Sequence, residues 1–327
     1  MKANVQLIND DSNKKDLNAL QGVIGQKSAI NKLQFFVKSH TEAYPVPTLL
    51  FTGSHGLGKT FLAKKMAKAM GRRLIEINCG ILQTEKDLIE NILINEVTGD
   101  SCVTLFFDES HKLNNEITTI LLSLLNPSST NQNILNYKNL GIIFDLSKIN
   151  VIFATTDAHK MFGPLKNRCQ EIYFNSYGKD DLIAILKLYC SNIDFRCDLD
   201  DLSNACRGRA RNAFVLAQNI NRYFVQFGEK NHILNQEDWI AIKDIFEIYA
   251  QGLNKQEIDL LKIIYEYKTI SATNIALTMM VNVDNIESEI EIRPRELGLI
   301  KSTTRGRALT EKGMEYIENV CGKEYHV

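Results

Sequence analysis

Apolar positions in this 327-residue chain fall into two kinds of run, and the mixture changes near residue 178. Before it, uninterrupted apolar stretches alternate with segments of helical period. Thr48-Leu49-Leu50-Phe51, Val103-Thr104-Leu105-Phe106-Phe107 and Val151-Ile152-Phe153-Ala154 belong to the first kind. Such runs suit strands of a parallel sheet covered on both faces. Between them, Ile30, Leu33, Phe36 and Val37 repeat at helical spacing and stop before Pro45 and Pro47, while 61–70, 85–94 and 116–125 carry the same period. Arg73 to Asn78 alternates as a short strand, and 134–146 reads as a hairpin around Tyr137-Lys138-Asn139. The pattern predicts an α/β domain with a doubly wound parallel sheet over 17–177, with ligands at the C-terminal ends of its strands.

After Tyr177-Gly178 the strand pattern stops, and 179–190, 199–206, 210–227 and 236–248 read as helices of a small helical domain over 178–250. A break at Gln251-Gly252 opens the last piece, 251–327. Three helical segments (254–266, 271–279 and 283–296), then Leu299 to Ser302, a turn at 304–307 and Ala308 to Thr310, make a winged-helix pattern. Residues 1–16 are polar and expected to form a frayed or partner-dependent arm.

Composition narrows this picture. The chain is 44% hydrophobic and has no apolar run long enough to span a bilayer and no leader-like N-terminus, so a cytoplasmic globular protein is expected. Seven scattered cysteines without a CxxC pair indicate neither a disulfide framework nor a zinc site. With 38 basic against 39 acidic residues, any nucleic-acid affinity must come from a local patch. One exists: six basic residues (Arg293, Arg295, Lys301, Arg305, Arg307, Lys312) face two acidic ones between Arg293 and Gly313.

The densest chemistry is Gly53-Ser54-His55-Gly56-Leu57-Gly58-Lys59-Thr60, set between an apolar strand and a helix that opens at Phe61. Its glycines let the backbone curl so that successive N–H groups face one anion. Lys59 then reaches the β- and γ-phosphates and the Thr60 hydroxyl serves Mg²⁺. Asp108, ending an apolar strand, is placed to hold the same Mg²⁺, and Glu109 to orient or deprotonate an attacking water. Thr155 and Thr156 end the next strand, with Thr156 preferred as the γ-phosphate contact. Arg168 can act as a finger in a neighbouring subunit's site. Arg207-Gly208-Arg209-Ala210-Arg211 places basic residues at a helix N-terminus, which the helix dipole disfavours unless an external anion answers them. His55 and His111 receive no chemical step.

In that order and spacing the chain resembles the AAA+ ATPases, and within them the RuvB family of Holliday-junction branch-migration motors. Gly56-Leu57-Gly58-Lys59-Thr60 is similar to Walker A, Asp108-Glu109-Ser110-His111-Lys112-Leu113 to Walker B, and Ala154-Thr155-Thr156 to sensor 1. Pro164-Leu165-Lys166-Asn167-Arg168 stands for the arginine finger and Arg211 for sensor 2. The resemblance implies ATP bound by Val23, Ile24, Gly53, Gly56, Leu57, Gly58, Lys59, Thr60, Phe61 and Arg211. It further implies a homo-hexameric ring around duplex DNA, a RuvA-like junction-binding partner, and wing contacts to DNA phosphates through Arg305 and Arg307. Ser54 and His55 replace two prolines usual in the family. A nucleotide-switched assembly or clamp-loader-like factor, and a winged-helix regulator with ATP-controlled assembly, remain alternatives.

Overall fold

The computed structural model describes residues 16–97, 102–126, 132–138, 140–145, 148–225 and 232–324; apart from Asp16, the arm expected over 1–16 lies outside the described residues. By its contacts the chain forms two compact units, the first extending to Asp181 and including Arg209–Arg211, the second comprising Leu182–Gly208 and Asn212–Val327.

In the first unit the strands are β1 (Leu49–Thr52), β2 (Arg73–Asn78), β3 (Val103–Asp108), the hairpin β4 (Gln132–Tyr137) and β5 (Leu140–Asp145), β6 (Ile149–Thr155) and β7 (Gln170–Tyr173). Five of them make one parallel sheet in the order β2-β3-β6-β1-β7. Successive side chains of a strand point to opposite faces, so each apolar run feeds two cores. Leu105, Phe107, Val151 and Phe153 pack on one face with Leu88, Ile117 and Leu121. Phe106, Ile152, Ala154, Leu49 and Phe51 pack on the other with Leu33, Leu62 and Met66. The Phe107 and Phe153 rings stack at 5.1 Å across β3 and β6. Each such side chain contributes about 1.5–3 kcal/mol on burial.

The second unit holds helices Leu199–Ala205, Gln236–Ile245, Lys255–Tyr267 and Ala272–Met279 among others. It also holds a parallel pair that the helical reading of 178–250 omits, β8 (Ile193–Phe195) with β9 (His232–Leu234). The wing is β10 (Ile300–Thr303) paired antiparallel with β11 (Gly306–Leu309), followed by a further helix, Glu311–Glu324. The segment read as one helix over 283–296 is interrupted. Pro294 has no N–H for the Ile290 carbonyl and its ring crowds that group. The chain widens to a π-turn over Ile286–Ile290, closed by Glu291 N–H donating to Ile286 O at 2.9 Å.

Gln251-Gly252, read from sequence as a break, is a point of close approach. A Cβ at Gly252 would lie 2.3 Å from Asn204 O, at a φ of +71°. Beside it, the Arg207 guanidinium pairs with Glu257, whose other oxygen accepts Asn254 N–H at 2.8 Å in a capping box. Glu257 is only 1% exposed, and desolvation raises its pKa even though Arg207 opposes the shift. Tyr316 adds a hydrogen bond to Ala250 O at 2.7 Å.

Removing one partner of such a buried pair strands the other charge. Glu257→Ala is expected to cost the second unit about 3 kcal/mol, read as a lower urea midpoint. An unchanged midpoint would show that the pair is solvated in solution.

Candidate functional site

The sheet's parallel register sets the site. Thr52 of β1 lies level with Thr155 of β6, and Asn78 of β2 with Asp108 of β3, so the segments leaving these strands emerge along one edge. The loop after β1 turns at Gly53, whose φ of +146° and position allow no side chain: a Cβ there would meet Phe174 O at 2.6 Å. The chain then curls into the helix Lys59–Ala69. Lys59 is 7% exposed and its ammonium donates to Gly53 O at 2.6 Å and Ser54 O at 2.9 Å. Desolvation lowers its pKa, while the charges of Asp108 and Glu109 pull the other way.

Asp108 ends β3 with its pKa raised, first by burial and also by the Glu109 charge; its Oδ1 accepts the Glu109 N–H at 3.0 Å. Glu109 takes a left-handed φ of 55°. Its Oε2 lies 3.5 Å from His111 Nε2 and 4.0 Å from Lys112 Nζ, and its Oε1 lies 3.8 Å from His55 Nδ1. His111 Nδ1 is 2.9 Å from the Thr155 hydroxyl, which also accepts the Asp157 N–H at 2.9 Å. Thr155 is buried and so engaged, whereas Thr156 stands in the bend just past β6 and is half-buried. Ser110 hydrogen-bonds Ala154 O at 3.0 Å, which satisfies a hydroxyl in an apolar surrounding.

Two further groups reach the loop. Arg211 N–H donates to Gly56 O at 3.1 Å, so the basic helix start lies directly on the loop backbone. Val23 and Ile24 are half-buried, and the Gly25-Gln26 turn after them is tied down. Gln26 and Asn175 exchange two hydrogen bonds, 2.6 and 3.1 Å, and Tyr177 OH donates to Leu57 O at 3.2 Å. Sequence reasoning missed Gln26 and Tyr177 as tethers. Neither sits in a spacing that marks it, since each acts across more than a hundred residues. Thr60 is half-buried beside Lys59, and Phe61 is exposed with Lys65 over its ring.

Arg168 is elsewhere. It precedes β7, whose Gln170 lies level with Leu49 at the start of β1. The guanidinium donates to Asn126 Oδ1 at 2.7 Å and Pro164 O at 3.1 Å. It therefore belongs to the N-terminal edge of the sheet, opposite the phosphate loop, with the length of β1, about 10 Å, between.

On the wing, the two expected arginines differ. Arg307 donates to Glu291 at 3.0 and 3.2 Å and to Glu287 at 2.6 Å, and hydrogen bonding to Glu291 raises its pKa. Arg295 also pairs with Glu291, at 2.9 Å. Arg293 is bound to Glu296 and Gln251 O, and Lys312 to Leu297 O. Only Lys301 and Arg305 of the six basic residues have side chains without a partner among the described residues. The Arg307 guanidinium, expected from the sequence to meet a DNA phosphate, is paired with Glu291 and Glu287 within the domain.

The arrangement can hold a polyphosphate. The loop leads into the N-terminus of Lys59–Ala69, the Lys59 ammonium lies within the loop, and Asp108 and Glu109 are near enough for their charges to act on it. A divalent cation fits the donor set, a hydroxyl (Thr60) and a half-buried carboxylate (Asp108), because Mg²⁺ takes few protein ligands and completes its shell with water and phosphate. Among the described residues no cluster of three or more His, Cys, Asp or Glu side chains offers an all-protein metal cage, and no helix is long and apolar enough to cross a membrane.

Comparison with known proteins agrees with this geometry. The family model for the Holliday junction DNA helicase RuvB P-loop domain matches residues 17–173, and that for the RuvB C-terminal winged helix domain matches residues 250–318. The RuvB subunit of the Holliday junction branch migration complex from Ehrlichia canis is 30% identical over 314 residues, 92% of each chain. The same subunit from Anaplasma marginale is 29% identical over 310 residues, 91% of each. Among solved structures, the Thermotoga maritima RuvB Holliday junction branch migration motor shares the fold with a TM-score of 0.73 at 21% identity, over 97% of this chain and all of that one.

The close approach at Gly53 generates a test. Gly53→Ala is expected to cost about 1–3 kcal/mol and to weaken nucleotide binding at least roughly tenfold, because the loop must shift away from Phe174. Gly178→Ala, where a Cβ meets nothing within 4 Å, should change neither the melting temperature nor binding.

Proposed function

The chain belongs to the RuvB family, and from that premise we propose that it is an ATP-driven motor that branch-migrates four-way DNA junctions as a ring on duplex DNA. The observation that carries this reading is the convergence of Lys59, Asp108 and Glu109 at one sheet edge, in a chain similar to RuvB subunits over 92% of its length. In this reading the loop from Gly53 to Thr60 holds the phosphates, Val23, Ile24 and Phe61 flank the base, and Arg211 meets the γ-phosphate from the helix start. Thr60 and Asp108 hold Mg²⁺, which would neutralise phosphate charge. Glu109 orients and deprotonates the attacking water, and Thr156 contacts the phosphate being released.

Arg168 supports a multi-subunit site. Lying at the sheet edge opposite its own phosphate loop, it is placed away from its own site and free to serve a neighbouring subunit's, which a closed ring supplies at every interface. A homo-hexamer is the proposed ring, with a RuvA-like protein holding the junction. On DNA, Arg305 and Lys301 of the wing meet backbone phosphates, and Arg307 holds the wing against Glu291. The segment before the wing presents the exposed Glu289, which repels a major groove, so contacts are to the backbone and carry little sequence preference.

The test is steady-state ATP hydrolysis alone, with linear duplex and with a four-way junction, together with strand separation on the junction in the presence of a junction-binding partner. Salt-sensitive stimulation with strand movement is the expected result. Hydrolysis that DNA leaves unchanged, without strand movement, would favour the nucleotide-switched assembly factor.

Within the site, Lys59→Ala should lose nucleotide binding, and Glu109→Gln should retain ATP and lose turnover; turnover surviving in both would sink the residue assignment. Arg168→Ala should bind ATP yet hydrolyse none, and mixed rings with Lys59→Ala should recover part of the activity. Arg305→Ala should weaken DNA binding evenly across sequences and lower the salt slope by about one. Arg307→Ala should instead lower the melting temperature of the winged helix.

A further inference from the structure

Glu109 is faced by groups from two parts of the chain, the phosphate loop and the segment just after Glu109 itself, and one of them links it to the strand that leads into Thr156. His111 Nδ1 lies 2.9 Å from Thr155 Oγ1. That hydroxyl accepts the Asp157 N–H, so its own proton is free to be donated to His111 Nδ1. In the tautomer that this contact selects, the ring proton sits on Nε2, which faces the Glu109 carboxylate at 3.5 Å. One ring nitrogen then meets the end of β6 and the other faces the carboxylate that follows β3. His111 is 11% exposed, and Thr155 is fully buried, so the linkage is held by packing. On the other side His55 of the phosphate loop faces Oε1 at 3.8 Å, but it is two-thirds exposed and holds the carboxylate less firmly.

Resting on the reading of Glu109 as the residue that activates water, the geometry points to His111 as its positioning residue. It acts through Glu109. It fixes the Glu109 carboxylate relative to Thr155 and so to the bend that holds Thr156. A displacement of that bend by bound γ-phosphate moves the Thr155 hydroxyl, the imidazole and the carboxylate together. The base is thus aligned by the same strand end that contacts the phosphate, and a carboxylate set free of it samples orientations that do not reach the water.

Amide side chains separate the two halves of the link. In His111→Asn a polar atom overlays Nδ1 and keeps the Thr155 contact, but nothing reaches Glu109. In His111→Gln the amide overlays Nε2 and restores that reach. ATP hydrolysis with duplex DNA is expected to show kcat lowered roughly tenfold to a hundredfold in His111→Asn, with KM for ATP and affinity for a non-hydrolysable analogue within about twofold of the parent. His111→Gln should recover most of the loss, and His111→Asn should add nothing in a Glu109→Gln background.

Parental kcat in His111→Asn, or equal loss in the Asn and Gln variants, would overturn the inference while Glu109→Gln remained inactive and the proposed function stood. Full turnover in Glu109→Gln itself would remove the underlying reading and the inference with it. Analogue affinity and melting temperature are measured on every variant, and the volume-keeping Gln variant carries the test if the Asn variant misfolds.

Discussion

An ammonium group taken out of water dominates the chemistry of the first unit. Lys59 lies almost wholly inside the loop it belongs to, answered at close range by two carbonyl dipoles and at longer range by the carboxylates of Asp108 and Glu109. Desolvation outweighs these partners, so the charge is held at a cost that an arriving anion removes. The same surroundings push Asp108 in the opposite direction, toward holding its proton. A bound polyphosphate would answer the Lys59 charge, and a cation beside it would answer Asp108.

That charge sits where it does because five strands run the same way. Their parallel register brings the loop after β1, the carboxylates after β3 and the threonines after β6 to one edge, and the same register sends Arg168 to the other. Under the proposed function, a site completed by Arg168 would need a second copy of that sheet. Two faces of apolar side chains, alternating residue by residue along β3 and β6, hold the register.

Most of this was legible in the sequence because strong local signals carry it. Uninterrupted apolar runs mark β1, β3 and β6, and a glycine-rich loop before a lysine marks the site. Strands β8 and β9 escaped because three residues are too few to show any alternation. Gln26 and Tyr177 escaped because they tether the site from afar, and His111 because nothing local distinguishes a linked histidine from a solvated one. Gly252 reads as a break in sequence, while its structural role is to let the Asn204 carbonyl come close. Counting charge near the C-terminus treats every cation alike, yet Glu291, 3% exposed, holds both Arg295 and Arg307.

That buried carboxylate has a mechanical consequence. A protein that travels along a polyanion must release each phosphate as readily as it takes the next, and every unpaired guanidinium adds to the drag. By pairing with two arginines, Glu291 leaves Arg305 and Lys301 as the wing cations without a side-chain partner among the described residues, a light touch in the proposed function. In the proposed ring, the grip on the duplex would be shared among many weak contacts. A low-friction bearing of this kind suits continuous sliding better than a tight clamp on one address.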